Sequence, residues 1–105
     1  MVGVLVFNGK TLMVPDEFPT ISDAVTEANP ADIILVKAKG NGDPYTEEVT
    51  ISKENIKLIG IGKVTPVIDG GIIGSIGITI MDTSGVLVKN FIVQNFDDVG
   101  LHILY

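Results

Sequence analysis

The sequence contains no cysteine, no arginine and no tryptophan. Without cysteine the chain cannot build a disulfide, a thiolate metal site or a cysteine nucleophile. Without arginine it lacks the side chain best suited to gripping phosphate or carboxylate through two parallel hydrogen bonds. Positive charge is scarce altogether: seven lysines stand against thirteen acids, giving a formal net charge of −6. That balance argues against nucleic acid and anionic membrane as partners, because both recruit basic patches. Every apolar run is interrupted by Gly, Ser, Thr, Lys or Asn well short of the ~18 residues of a transmembrane helix, so no membrane insertion is expected. The opening MVGVLVFNGK has no basic n-region and only a short apolar run, so it does not read as a signal peptide.

What remains is apolar, β-branched and rich in turn residues. A chain of 105 residues supports one modest core, so a single domain over 1–105 is expected. Residues 2–7 and 11–14 (VGVLVF and TLMV) are strand-like and flank Asn8-Gly9, a strong hairpin signal. Residues 20–28 then change character. Thr20 is a good N-cap, Asp23 falls near the positive end of a helix, and Ile21, Ala24, Val25 and Ala28 recur at helical spacing. Asn29-Pro30 closes this helix, since a residue preceding proline resists helical backbone. Residues 1–31 thus read as a hairpin plus a capping helix, and 32–105 as short strands and turns.

Within that second part the runs IILV, IKLI, ITIM and LHIL begin at residues 33, 56, 78 and 101. Near-constant spacing of this kind signals stacked units, each too small to bury its own apolar face. Between them lie EVTI (48–51), PVID (66–69), and the VLV and FIV of GVLVKNFIVQN (85–95). About three short strands per unit is the rung of a parallel β-helix, whose like strands stack at roughly 4.8 Å. The expected fold is all-β: a right-handed, single-stranded parallel β-helix of three to four rungs. VLV and FIV would lie on different faces of one rung, with Asn90 and Asn95 at corners where asparagine tolerates left-handed backbone.

Stacking the four runs predicts inward columns Ile33/Ile56/Ile78/Leu101 and Leu35/Leu58/Ile80/Ile103, and an outward mixed column Ile34/Lys57/Thr79/His102. The remaining column, Val36/Ile59/Met81/Leu104, would also face outward although it is wholly apolar. Such a stripe needs a cover, whether the N-terminal hairpin, a loop or another chain.

Pro19-Thr20-Ile21, the strand Ile33 to Val36, Tyr45-Thr46-Glu47, Val49-Thr50-Ile51 and Leu58-Ile59-Gly60-Ile61-Gly62 follow one another in an order that resembles the start of the pectin lyase-like superfamily of right-handed parallel β-helices. The likeness runs from residue 12 onward and implies the fold. Because the superfamily spans pectate lyases, pectin esterases, polygalacturonases, copper-insertion accessory proteins, adhesins and phage tailspikes, the likeness allows a polysaccharide as one ligand among several classes, and it implies an extracellular or cell-surface location. It carries over no catalytic residue: the Gly-Gln-Asp-Thr and Asp-Phe-x-x-Gly runs of the esterases are absent, as is the arginine of the lyases.

Candidate sites are few. Lys57, Thr79 and His102, with Asp82 beyond the strand end, could form a polar constellation, although a polar ladder on a solvated sheet is the ordinary reading of them. Asn95, Asp97 and Asp98 offer oxygens that could hold Ca²⁺, as do Asn41 and Asp43, and turn chemistry explains both groups. Asp69-Gly70-Gly71 reads as a turn. Adjacent Glu47 and Glu48 point to opposite faces of a strand and cannot pair as acid and base. The glycine runs GNGD (40–43) and GIG (60–62) lack the spacing and following helix of a phosphate loop.

No catalytic residue and no resident cofactor is therefore expected. The last run, LHILY, enters a rung without a polar cap after it, so the expectation is either a longer β-helix protein of which this is a piece, or an end covered by another copy. The leading functional reading is a non-catalytic module that self-associates, by default as a homodimer, through its uncapped end with Leu101, Ile103 and Tyr105 or through the Val36/Ile59/Met81/Leu104 stripe. The alternative is the N-terminal part of a polysaccharide-active or carbohydrate-binding protein. Against it, Phe and Tyr together supply only six aromatic platforms.

Overall fold

Short β-branched runs separated by Asn, Asp and Gly favour brief strands joined by sharp bends. That is what forms in the structure, a computed structural model that describes residues 9–71, 76–97 and 99–104. Among the described residues nine strands and one helix follow in the order β1 (Thr11–Val14), α1 (Ile21–Glu27), β2 (Ile33–Lys37), β3 (Val49–Ile51), β4 (Lys57–Ile61), β5 (Val67–Asp69), β6 (Ile76–Met81), β7 (Leu87–Lys89), β8 (Ile92–Gln94) and β9 (Val99–Leu104). The fold is β-rich, and its strand pairs are parallel. One sheet has the order β1-β2-β4-β7, a second β3-β6-β9 and a third β5-β8, and Tyr45 adds a parallel bridge to Ile68 in the last. After α1 the chain visits the β2, Tyr45 and β3 sheets in turn, and then repeats that cycle twice. The hairpin expected over residues 2–14 falls half on residues 1–8, outside the described residues; its second strand, β1, pairs parallel with β2.

At seven residues, α1 is too short to persist alone, and tertiary contacts hold it. Ile21, Ala24 and Val25 are buried, and the helix packs against β1, β2 and β3. Thr20 is the N-cap, its hydroxyl accepting from the Asp23 N–H at 3.0 Å. Glu47 reaches the same end from the next pass, accepting from the Ile21 and Ser22 N–H groups at 3.1 and 2.7 Å and from the Ser22 hydroxyl at 2.6 Å. At the other end the Lys53 ammonium donates to the carbonyls of Val25, Thr26 and Ala28 at 3.1, 2.7 and 2.5 Å. Both clamps oppose the helix dipole with the correct sign. Lys53→Met is expected to lower stability by about 1–2 kcal/mol, read as a reduced urea midpoint with unchanged slope.

The core is aliphatic and lies between the sheets. Leu12, Ile34 and Leu58 stack inward on the first sheet with Val88 beyond them, and Val14 and Val36 form a second inward row there. Val49 and Ile78, and Ile51 and Ile80, do the same on the sheet of β3, and Tyr45 and Ile68 close the third side.

This arrangement corrects the expected stacking in two respects. The four runs do not lie over one another: β2 and β4 belong to one sheet, β6 and β9 to another. The pairing Ile78↔Leu101 and Ile80↔Ile103 holds as expected, but Ile33 pairs with Lys57 rather than Ile56, and Lys57 leads on to Leu87 rather than Thr79. The inward phase of β2 is also reversed. Ile34 and Val36 are fully buried, whereas Ile33 and Leu35 are half-buried. A run of four aliphatic residues carries no polar residue to set its phase, and the tertiary pairing decides it.

The corners fall where the asparagines stand. Asn90 and Asn95 have φ of 64° and 60°, so VLV and FIV bend into different sheets, as the sequence leads one to expect. A second kind of corner precedes the first sheet, where Ala31, Asn55 and Gly85 occupy successive passes with φ of 72°, 60° and 72°. The Ala31 N–H donates to the Glu54 carbonyl at 3.0 Å, and the Asn55 N–H to that of Ser84 at 3.0 Å. Only alanine among these three has neither the freedom of glycine nor the side-chain chemistry of asparagine to offset a left-handed backbone. Ala31→Gly is therefore expected to raise the unfolding free energy by about 1 kcal/mol, measured by urea denaturation.

Candidate functional site

β7, β8 and β9 are each the last strand of their sheet, so one side of each lacks a strand partner among the described residues. Leu101 and Ile103 occupy the inward register, stacked on Ile78 and Ile80, yet they are 49% and 44% exposed. Their neighbours in the stack are 1% and 8% exposed, so the contrast comes from position in the stack and not from side-chain direction. Leu87 and Ile92 on the same final pass are 42% and 47% exposed. Two core-phase aliphatic side chains are thus left exposed at one end, on β9, beside a strand edge with no strand partner among the described residues. Leu87 and Ile92, by contrast, stack over Lys57 and Val67 in the outward rows of the other two sheets. The opposite end is the one that α1 covers.

The other interface residues named from the sequence separate. Val36 is fully buried and pairs with Gly60; Ile59 is half-buried on the first sheet and pairs with Lys89; Met81 pairs with Leu104 in the sheet of β3. No single outward stripe forms from these four positions. Tyr105 lies outside the described residues.

The polar candidates resolve into corner and ladder bonds. Thr79 pairs with Thr50 and His102 across the β3-β6-β9 sheet, while Lys57 lies in a different sheet, so that constellation is not assembled. Asn95 uses its side-chain amide to donate to Asp69 at 3.0 Å; Asp97 is exposed, and Asp98 lies outside the described residues. Asn41 accepts from the Asp43 N–H at 3.0 Å and donates to its carboxylate at 3.0 Å, a local turn. Among the described residues no group of three His, Cys, Asp or Glu side chains could hold a metal ion. Glu47 and Glu48 do diverge, Glu47 to α1 and Glu48 to the Ile76 N–H at 3.1 Å. Asp69 caps its own turn through the Gly71 N–H at 2.7 Å and accepts from Gln94 at 2.9 Å, its stacked partner on β8. The Gln94 bond foremost, then those from Gly71 and Asn95, hold its carboxyl below the usual range.

A third feature lies where the chain leaves the first sheet. Two successive connections at the same corner, residues 38–44 and 62–66, stand out from the first sheet, whereas β7 and β8 are joined by Asn90-Phe91 alone. Between those loops runs an open groove of about 400 Å³ with Lys37, Lys39 and Lys63 in its walls. The available signal was the recurrence of lysine beside both glycine runs, at 37 and 39 and again at 63. Tyr45 anchors the base of the first loop: its ring is buried, its hydroxyl donates to the Lys37 carbonyl at 2.5 Å, and the Lys39 ammonium lies 4.9 Å from the ring centre.

Burial first, then the carboxylates of Glu47 and Asp16, push the Tyr45 phenol up from 10.0 to about 12. The folded state therefore holds this proton where the unfolded chain has lost it. Its contribution to stability is complete below about pH 10 and is lost as pH rises toward about 12. Urea midpoints measured across that interval are expected to fall in the wild type and to fall less in Tyr45→Phe.

No protein-family model matches the chain, and comparison with curated proteins and with solved structures finds no match. Any functional reading therefore rests on the residues themselves.

Proposed function

We propose that the chain is a right-handed parallel β-helix module of the pectin lyase-like kind. Its role is that of a non-catalytic structural unit that joins a second copy of itself end to end. Three parallel sheets visited in constant order support the coil, and right-handedness is the general rule for crossovers between parallel strands. The observation that carries the association is the exposure of Leu101 and Ile103, two core-phase residues on an edge strand. Because α1 covers the other end, two copies would meet through the same face. Such a contact is isologous and closes at two subunits, and the meeting edges run antiparallel.

Sedimentation equilibrium at micromolar concentration is expected to show a reversible dimer, and Leu101→Lys with Ile103→Lys to shift it to monomer while the β-sheet circular dichroism is kept. A wild-type chain that stays monomeric over that range contradicts the reading. The polysaccharide-active alternative predicts new reducing ends on incubation with polygalacturonate and Ca²⁺, and none are expected here.

A further inference from the structure

We propose that the groove between loops 38–44 and 62–66 binds an organic anion, a carboxylate or phosphate head carried on a small apolar body. The site is independent of the association face, since it lies at the side of the first two passes rather than on the last.

Three properties of the groove converge on that ligand class. The first is charge. Three of the chain's seven lysines line it and no carboxylate does, although the chain carries thirteen acids. Lys37 is neutralised by Asp16 at 2.6 Å, the one ion pair among the described residues, so Lys39 and Lys63 present uncompensated charge. In a chain of net charge −6, anions are repelled from the surface as a whole, and a local pair of unmatched ammonium groups is the place where one can be held. The second property is shape. At Gly40, Gly42 and Gly62 an added Cβ would meet nothing within 4 Å, so the missing side chains leave the loop backbone open to a ligand rather than fitting it against other protein. Gly42 and Gly62 also have φ of 81° and 98°, which other residues rarely adopt. The third is the apolar component. Val64, 66% exposed, stands in the same wall, and Ile61 flanks the groove from β4. An inorganic ion would use the lysines and leave this surface wet, whereas a short aromatic or aliphatic body would cover it. Lys39 is held over the Tyr45 ring, so it loses less freedom on binding than an unrestrained lysine does.

The test is a titration of the ¹⁵N-labelled full chain with phenyl phosphate, benzoate, benzyl alcohol and inorganic phosphate, followed through the amides of Gly40, Gly42 and Gly62. Phenyl phosphate and benzoate are expected to give saturable shifts centred on those amides, and their relative affinities identify the preferred head group. Benzyl alcohol and inorganic phosphate are each expected to bind at least about tenfold more weakly, which separates the charged and apolar contributions. The double variant Lys39→Met/Lys63→Met is expected to weaken phenyl phosphate binding more than tenfold with the remaining spectrum unchanged. Lys89→Met, outside the groove, is expected to have no effect. Shifts spread equally over all lysines, equal binding of the alcohol, or an unaffected double variant would each overturn the proposal.

Discussion

Replacing Asp32 with alanine is expected to lower the unfolding free energy by about 2–4 kcal/mol, because it strands two backbone donors where water has little access. Asp32 is 3% exposed and is the one buried charged side chain among the described residues. One carboxyl oxygen accepts from the Lys10 N–H at 2.8 Å, just before β1, and the other from the Asn29 N–H at 2.8 Å, just after α1. Its own backbone accepts from Lys57 at 3.1 Å and donates to Asn29 at 3.1 Å. One residue thus ties the start of the first strand, the end of the helix and the second pass. Asp32→Asn keeps one acceptor oxygen and is expected to lose roughly half as much. Urea denaturation of the three proteins gives the comparison, and equal stability of all three would remove Asp32 from this role.

The second large effect separates neighbours. Ile34→Ala is expected to cost about 2–5 kcal/mol, the range for a large aliphatic side chain deleted from a packed core. Leu35→Ala, one residue on, is expected to cost less than about 1.5 kcal/mol, since Leu35 is half-buried on the outer face and little cavity remains behind it. Stacking IILV upon IKLI residue for residue predicts the reverse order. The ranking of the two variants therefore reports the phase of β2 directly, whatever the absolute values.

That phase marks the boundary of what could be read from the residues alone. The helix was legible because Thr20 and the spacing of Ile21, Ala24 and Val25 are local signals, and the structure uses them as written. Asn90 and Asn95 were legible for the same reason, since a left-handed corner depends on one residue's own preferences. The alternation in β6 could be followed because Thr79 breaks the aliphatic run, and Ile78 and Ile80 are indeed the buried pair. β2 has no such break before Lys37. The sheet assignment failed for a different reason. The first-sheet strands begin at residues 33, 57 and 87, so the second pass is longer than the first, β6 having six residues where β3 has three, and equal spacing of aliphatic runs picked strands from different sheets. The exposed pair Leu101 and Ile103 was named from sequence, but the lysine groove depends on two loops meeting across a sheet, and the lysines beside each glycine run do not by themselves show that the loops are neighbours.

The account rests on which strands are stacked neighbours, and the absence of native cysteine allows a clean test. Thr50 and Thr79 are paired across β3 and β6, whereas Lys57 and Thr79 belong to different sheets. Cysteines placed at 50 and 79 should sit on adjacent parallel strands about 4.8 Å apart and be bridged rapidly by a short bifunctional thiol reagent, while cysteines at 57 and 79 should remain unbridged under the same conditions. Rapid bridging of the 57/79 pair with none at 50/79 would mean that the aliphatic runs form one continuous stack after all, and the three-sheet arrangement would be wrong.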